Sequence, residues 1–397
     1  MSEVKEILNE FQQNRKQIEI SISQMKQDLG EQIHKICLYG AGSAGIAFLK
    51  YLREVQIEPI YFVDKNPSRW GTFCEDLEII PPEQIISRAG EEALVIVTIN
   101  TDGKRYCKSF DEALRIGGHP GVHKLLRECG VRHDIDYTYF RRVHGLFHGD
   151  PYNLPSCSDV DCILEHQDVL EKVYNRLEDD LSRDVFLKIL RFRLVDDSLT
   201  IPTTPQDKQY FEEGFYEKQD DEVFVDCGAY DGISARTFLK ENGSKFEAYY
   251  GFEPDKSNYE ALQKYVAGLP ADIRKKMKLY HSAVWNNDGG ARLYSLKGPG
   301  SFLADIGSEE VQTITIDGAL AGNRATYIKM NIEGAELQAL QGAQRTIETY
   351  KPRLAIAGYH KTWDMWEVPD RILKYNADYK LYLRSYMNHI SFVYYCV

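Results

Sequence analysis

The sequence predicts an α/β protein: two Rossmann-like parallel-sheet domains in series, joined by a helical connector, with the C-terminal sheet closed by an antiparallel hairpin. Three observations lead there. The chain has 397 residues, and at ~100–200 residues per domain two is the natural division. Short, fully apolar runs alternate with helical patterns, the mark of parallel strands covered on both faces. Two glycine-rich turns, Gly40–Gly45 and Gly228–Gly232, each follow such a strand and precede a helical pattern.

Composition narrows the function classes. The chain is 43% hydrophobic and 27% charged, with ordinary Gly and Pro, which excludes disordered and fibrous classes. Sixty acidic against 48 basic residues give a net charge of −12. That balance disfavours nucleic acid and anionic membranes as partners. No apolar run approaches the ~20 residues of a membrane span, and the charged N-terminus lacks the apolar core of a signal peptide. Eight scattered cysteines, without C-x-x-C, read as free thiols in a reducing compartment. A cytoplasmic protein without membrane insertion is expected.

Residues 1–30 carry Val4, Ile7, Leu8, Phe11 and Ile18 at roughly helical spacing and predict an amphipathic helix. It packs on its own domain or, as the alternative, against a second copy in a homodimer. Residues 31–150 form the first domain. Its strands are 35–39, 59–63 and 93–99, with helices at 46–55 and 122–129. Residues 151–209 are the connector: a charged helical stretch over 160–195, then Pro202 and Pro205, which break helix.

Residues 210–397 form the second domain. Strands are predicted at 222–226, 248–253, 277–281, 326–330 and 352–357, with helices at 236–241, 257–267 and 336–350. The last two strands, 379–384 and 390–396, are separated by a gap short enough for an antiparallel hairpin.

The turn after the first strand of this domain, Val225-Asp-Cys-Gly-Ala-Tyr-Asp-Gly232, is not G-x-G-x-x-G. Its acids repel a pyrophosphate but suit a ligand with positive charge. The next strand ends in Glu253-Pro254, 27 residues after Asp226, where an acid takes both ribose hydroxyls. A ribose-gripping acid beside an acidic first loop fits S-adenosylmethionine, a cationic sulfonium nucleoside without phosphates. Ser282 and Ala283 follow the third strand, where an adenine edge lies.

The blocks VDCGAYDG, GFEPD, SAVWNNDG, TITIDG, YIKMNIEGAELQALQGA and KPRLAIAGYH resemble, in order and spacing, the FkbM-type S-adenosylmethionine-dependent methyltransferases, from about Tyr210 to the C-terminus. The resemblance implies methyl transfer to an oxygen of a sugar, glycan or secondary metabolite. It assigns cofactor binding to Asp226, Gly228, Ala229, Glu253 and Ala283, and places Lys329, Glu333 and Glu336 in the signature block. Tyr230, Asp231, Pro254, Ser282 and Asn331 complete the expected cofactor set. The family commonly has Asp where this chain has Asn331, and a neutral amide takes no proton. If the family uses that Asp as its base, this chain uses another group or is impaired.

Glu333 follows the fourth strand and His360 the fifth, at one sheet edge, and these two are the catalytic candidates. Glu333 has capping of the following helix as its alternative role, and His360 a place in a surface loop. Tyr210 and Phe211 stand where a lid covers the cofactor. Trp363 and Trp366 stack on a sugar ring or pack in the core. Gly342 permits close helix packing. A Mg²⁺-assisted variant would gather Asp317, Glu333 and Glu336, but nothing in the spacing demands it and no metal is expected. The pairs His119/His123 and His144/His148 have the i, i+4 spacing of a zinc site, yet neighbouring Gly and Pro argue against helix there.

Gly40, Gly42, Ser43 and Gly45 form a G-x-G-x-x-G, with Asp64 nineteen residues beyond the third glycine. The run from YGAGSAG to PPEQI resembles the N-terminal nucleotide-binding domains of sugar-modifying acyltransferases. A nucleotide or nucleotide-sugar is expected at this second site, ahead of a purely structural module and of NAD. The leading function is an O-methyltransferase on a small-molecule or glycan acceptor. The rivals are a non-catalytic regulatory binding protein and an NAD(P)-dependent oxidoreductase.

Overall fold

The computed structural model describes residues 2–13, 35–54, 57–99, 120–136, 160–195, 201–294, 302–303, 309–386 and 391–397. The chain divides into two compact units, Met1–Gln167 with Leu187–Ile201, and Asp168–Phe186 with Pro202–Val397. The stretch expected as one connector is thus shared between them. The helix Asp180–Val195 belongs in part to each.

In the first unit the strands are β1 (Ile36–Tyr39), β2 (Tyr61–Val63), β3 (Phe73–Cys74), β4 (Leu77–Ile80), β5 (Leu94–Val97) and β6 (His133–Asp136). They form one sheet in the order β3-β4-β2-β1-β5-β6, parallel except for the β3/β4 pair. Every residue of β1 and β5 is buried, as the unbroken apolar runs require. β3, β4 and β6 were not expected. β6 reads His-Asp-Ile-Asp, and its polarity hides it from a hydrophobic pattern. Of the N-terminal helix, 3–13 is described; Val4, Leu8 and Phe11 are buried and Glu10 pairs with Arg191 at 3.0 Å. Residues 14–34, Cys107, Cys157, His119, His144 and His148 lie outside the described residues. The six described cysteines are free thiols.

The second unit holds β7 (Val223–Cys227), β8 (Ala248–Phe252), β9 (Met277–Tyr280), β10 (Ala283–Val284), β11 (Gly289–Tyr294), β12 (Phe302–Leu303), β13 (Glu309–Ile314), β14 (Tyr327–Met330), β15 (Arg353–Ala357), β16 (Leu381–Ser385) and β17 (Phe392–Cys396). Seven of these make the main sheet, in the order β16-β17-β15-β14-β7-β8-β9. The run from β15 to β9 is parallel, and β17 is antiparallel to both β15 and β16, the expected hairpin. The chain leaves β7 toward β8 and β9, then returns to place β14 and β15 on its other side. Strand order therefore reverses between β7 and β14, where the carboxyl ends open a crevice.

Two features depart from the expectation. A four-stranded sheet, β10-β13-β11-β12, fills 283–314, which the hydrophobic pattern had left without strands. The predicted helix 336–350 is two helices, Glu336–Gln341 and Gln344–Tyr350. The break is at Gly342, where an added Cβ would lie 2.0 Å from the Trp285 carbonyl oxygen. The close packing foreseen for Gly342 is thus against a backbone carbonyl. Gly342→Ala must push that backbone away, and overpacking of this kind costs about 1–3 kcal/mol. Thermal unfolding followed by circular dichroism should show a midpoint several degrees lower; an unchanged midpoint contradicts the close approach.

Candidate active site

The first loop is organised around one buried ion pair. Asp226, at the end of β7, is fully buried, and its Oδ1 lies 3.0 Å from Lys329 Nζ on β14. Its Oδ2 accepts from Ser234 Oγ at 2.5 Å and Tyr249 OH at 2.6 Å. Lys329 Nζ also donates to the carbonyls of Cys227 (3.2 Å) and Gly228 (2.7 Å) and lies 5.3 Å from the Tyr210 ring centroid. These bonds pull the loop across β14. Gly228, at φ +80°, approaches so closely that a Cβ there would meet the Asn331 carbonyl oxygen at 2.1 Å. The sequence carries a signal for this pair. A lysine inside the apolar strand Tyr-Ile-Lys-Met needs a buried acid as partner.

Beside this loop lies a cavity of about 590 Å³. Of the expected cofactor residues, Gly228, Tyr230, Glu253, Pro254, Ser282, Ala283 and Asn331 line it. Asp226, Ala229 and Asp231 do not. Asp226 is consumed by the network above. Ala229 is buried and donates its N–H to the Phe252 carbonyl. Asp231 accepts from the Ile233 N–H at the start of the helix Ile233–Asn242 and pairs with Arg236. Tyr210 and Phe211 line the cavity, with Gln206, Asp207 and Gln209 of the same segment. Ile233 is there too, 62% exposed.

Glu253 is held by backbone N–H groups. Its Oε2 accepts from the Tyr230 N–H and its Oε1 from the Asp255 N–H, both at 2.9 Å. A carboxylate accepts about four hydrogen bonds, so each oxygen keeps a lone pair for a ligand hydroxyl. Burial pushes its pKa above the usual carboxylate value, against those N–H bonds.

Glu333 also lines the cavity, at φ +54°, followed by Gly334 at φ +92°. It does not cap the next helix. That helix has no side-chain cap, and Glu336 Oε1 accepts from the Ile332 N–H of the preceding loop at 2.9 Å. His360 lies between the two acids, with Nε2 3.5 Å from Glu333 Oε2 and Nδ1 2.9 Å from Glu336 Oε1. It is buried rather than placed in a surface loop, and it is not among the cavity-lining residues. Burial alone would lower its pKa, but Glu336, Glu333 and Asp364 outweigh burial and raise it to about 9. Burial, assisted by Glu336, raises Glu333. Glu336 is held below the usual carboxylate value because His360 outweighs its burial. Burial and Glu336 push Asp364 up to about 7. Trp366 is buried, while Trp363 is 36% exposed beside Lys361.

The trio considered for Mg²⁺ does not assemble. Asp317 accepts from the Thr346 and Arg345 N–H groups at the start of the helix Gln344–Tyr350. Among the described residues, the grouping with metal-ligand spacing is Glu336, His360 and Asp364, with donor atoms within 4.8 Å of one another.

Residues 226–389 match the family described as the methyltransferase FkbM domain. By this match, residues 226–389 form a methyltransferase FkbM domain. The chain is also similar to the FkbM methyltransferase of Methylobacillus flagellatus KT, 21% identical over 98% of this chain and 99% of that one, with a TM-score of 0.72. At that identity the likeness speaks for the fold. A fibrillarin/Nop5p complex is similar over 46% of this chain and 76% of that one, 14% identical, with a TM-score of 0.28. Among curated proteins, none matches. No helix among the described residues is long and apolar enough to cross a membrane.

Outside the FkbM domain, the glycine loop of the first unit has the expected backbone. Gly40 lies at φ +112°, the helix Ser43–Glu54 follows, and a Cβ on Gly45 would lie 2.0 Å from the Gly40 carbonyl oxygen. Gly42, by contrast, has open space around it. Asp64 is engaged internally: its Oδ2 pairs with Arg69 at 3.0 Å, and Arg69 reaches the Ala41 carbonyl at 2.7 Å.

The FkbM domain should lose stability as pH rises. His360 titrates near 6.5 in an unfolded chain and about 9 in the folded one. Its contribution, about 3–4 kcal/mol, is full below about 6.5 and is lost as pH passes 9. Asp364, raised from 3.8 to about 7, acts in the same direction at lower pH. Urea midpoints should fall from pH 6 to 10; a flat profile contradicts the protonated imidazole.

Proposed function

We propose that this methyltransferase transfers the methyl group of S-adenosylmethionine to a hydroxyl oxygen of a sugar, glycan or secondary metabolite, with Glu333 as general base. Three carboxylates line the cavity, Asp207, Glu253 and Glu333, and the observation that carries the reading is the different states of the last two. Glu253 is fixed by backbone N–H groups for binding. Glu333 borders the same cavity with its basicity raised by burial. Among the described lining residues the one cation is Lys329, already paired with Asp226. That set suits a cationic nucleoside without phosphates.

When bound, S-adenosylmethionine supplies a methyl group whose sulfur departs as a neutral thioether, taking the C–S electrons as the acceptor oxygen forms its C–O bond. Catalysis is then mainly alignment and proton removal. Glu333 takes the hydroxyl proton. Asn331, whose Oδ1 accepts from Tyr359 OH at 3.1 Å, positions the acceptor without taking a proton. His360, protonated between Glu333 and Glu336, holds Glu333 in place and is a positioning residue. At the first unit, Arg69 occupies Asp64 and so works against NAD recognition through a ribose hydroxyl. A nucleotide or nucleotide-sugar is the ligand class we propose there.

Glu333→Gln should lower kcat by about 10²–10⁴-fold while the affinity for S-adenosylmethionine stays within about twofold. The wild-type pH–rate profile should show an ionisation above the usual carboxylate range that this variant lacks. Unchanged turnover removes Glu333 as the base. Glu253→Ala should weaken S-adenosylmethionine binding at least about tenfold in calorimetric titration, the loss of charge-assisted ribose contacts; unaltered affinity sinks the ribose assignment.

A further inference from the structure

The hydroxyl that accepts the methyl group must lie against Glu333, whose side chain is 34% exposed. The rest of the acceptor then runs out of the cavity over whatever borders Glu333. Gly334 comes next, at φ +92° and with no side chain to obstruct the path. Lys361 lies on it: its Cε and Cγ are 2.9 and 3.6 Å from where a Gly334 Cβ would stand. The Lys361 ammonium in turn lies 5.8 Å from the ring centroid of Trp363, which is 36% exposed. Glu333, Gly334, Lys361 and Trp363 therefore form one continuous edge, running outward from the base.

The backbone fixes this edge before any ligand arrives. The Lys361 N–H donates to Asp364 Oδ2 at 2.8 Å, and Thr362, between the two outward residues, is buried. The Trp363 carbonyl accepts from the Trp366 and Glu367 N–H groups at the start of the helix Asp364–Tyr375. An exposed indole on such a base offers a large, rigid, amphipathic surface, which suits the apolar face of a sugar ring.

Charge selects among sugars. Asp207, Glu253 and Glu333 line the cavity, and the one cation among the described lining residues, Lys329, is paired with Asp226. An anionic group is repelled there. Lys361 stands outside, on the path of the acceptor, and its ammonium makes charge-assisted bonds to a carboxylate or phosphate. Resting on the reading of a hydroxyl acceptor with Glu333 as base, we infer that the acceptor is an anionic saccharide. Its hydroxyl enters the cavity, its ring stacks on Trp363, and its carboxylate or phosphate binds Lys361 outside.

The test is methyl transfer by the full chain from radiolabelled S-adenosylmethionine to a panel of methyl glycosides: glucosides and galactosides, their uronic acids and the corresponding sugar phosphates. At least one anionic member should be methylated with kcat/KM about tenfold above that of its neutral parent, as expected for a charge-assisted contact. Whether the uronic acid or the phosphate gains identifies the anionic group. Lys361→Met, which keeps an unbranched stem over Gly334, should remove the advantage by raising KM for the anion with kcat unchanged, and Lys361→Arg should retain it. Trp363→Ala should raise KM for anionic and neutral members alike by about tenfold. The inference is overturned if neutral parents are used as well as the anions, or if Lys361→Met keeps the preference. Should a variant fail to fold, the wild-type panel decides. Methylation of neutral members alone, abolished in Glu333→Gln, leaves the proposed function standing and rejects this inference. A chain that binds S-adenosylmethionine but methylates no member rejects the saccharide acceptor, and one that does not bind it rejects the donor reading itself; this inference falls in both cases.

Discussion

The pair Asp226–Lys329 is the constraint on which the C-terminal unit depends. The two residues are direct neighbours in the β7/β14 register, at the point where strand order reverses. Two charges removed from water are tolerated only with close geometry and satisfied remaining valences. Here Ser234 and Tyr249 complete the carboxylate, and two loop carbonyls complete the ammonium. A slip of one residue between these strands would leave both charges buried and unpaired, so the pair locks the register. Through the Gly228 carbonyl it also sets the bend of the loop that walls the cavity.

This accounts for the different fates of the acidic residues. Asp226 and Glu336 are fully buried and matched to Lys329 and His360. Glu253 and Glu333 border the cavity, one braced by backbone N–H groups, the other by the histidine. Glu253 and Glu333 are thus both set by groups packed behind them. The aromatic core supports the same arrangement from below the loop. Phe224 and Tyr327 stack across β7 and β14, Phe211 packs edge-on against both, and the segment carrying Tyr210 is anchored there.

Much of the fold was legible because short, largely apolar strands bounded by glycine turns are written locally. The strands of the parallel sheets that were foreseen moved by only a residue or two. The parts that were missed have no local mark. β6 is polar, and β10 to β13 pair through contacts distant in the chain. The helix break at Gly342 depends on a carbonyl of Trp285, more than fifty residues away. In the site, the residue types at the strand ends were readable. Which of them face a ligand was not: Asp226 and Asp231 look alike in sequence, yet one is an internal counter-ion and the other sits at a helix start.

By itself the sequence determined the α/β class, the two glycine loops, the acid at the end of β8 and the absence of a proton acceptor at Asn331. Each of these follows from residue type and short-range spacing. Only the tertiary structure decided that Asp226 is an internal counter-ion, that His360 is buried between two acids, and that the Tyr210 hydroxyl is buried without a hydrogen-bond partner among the described residues. Those outcomes depend on desolvation and on the charges nearby, and both arise only when β7, β14 and β15 are brought side by side.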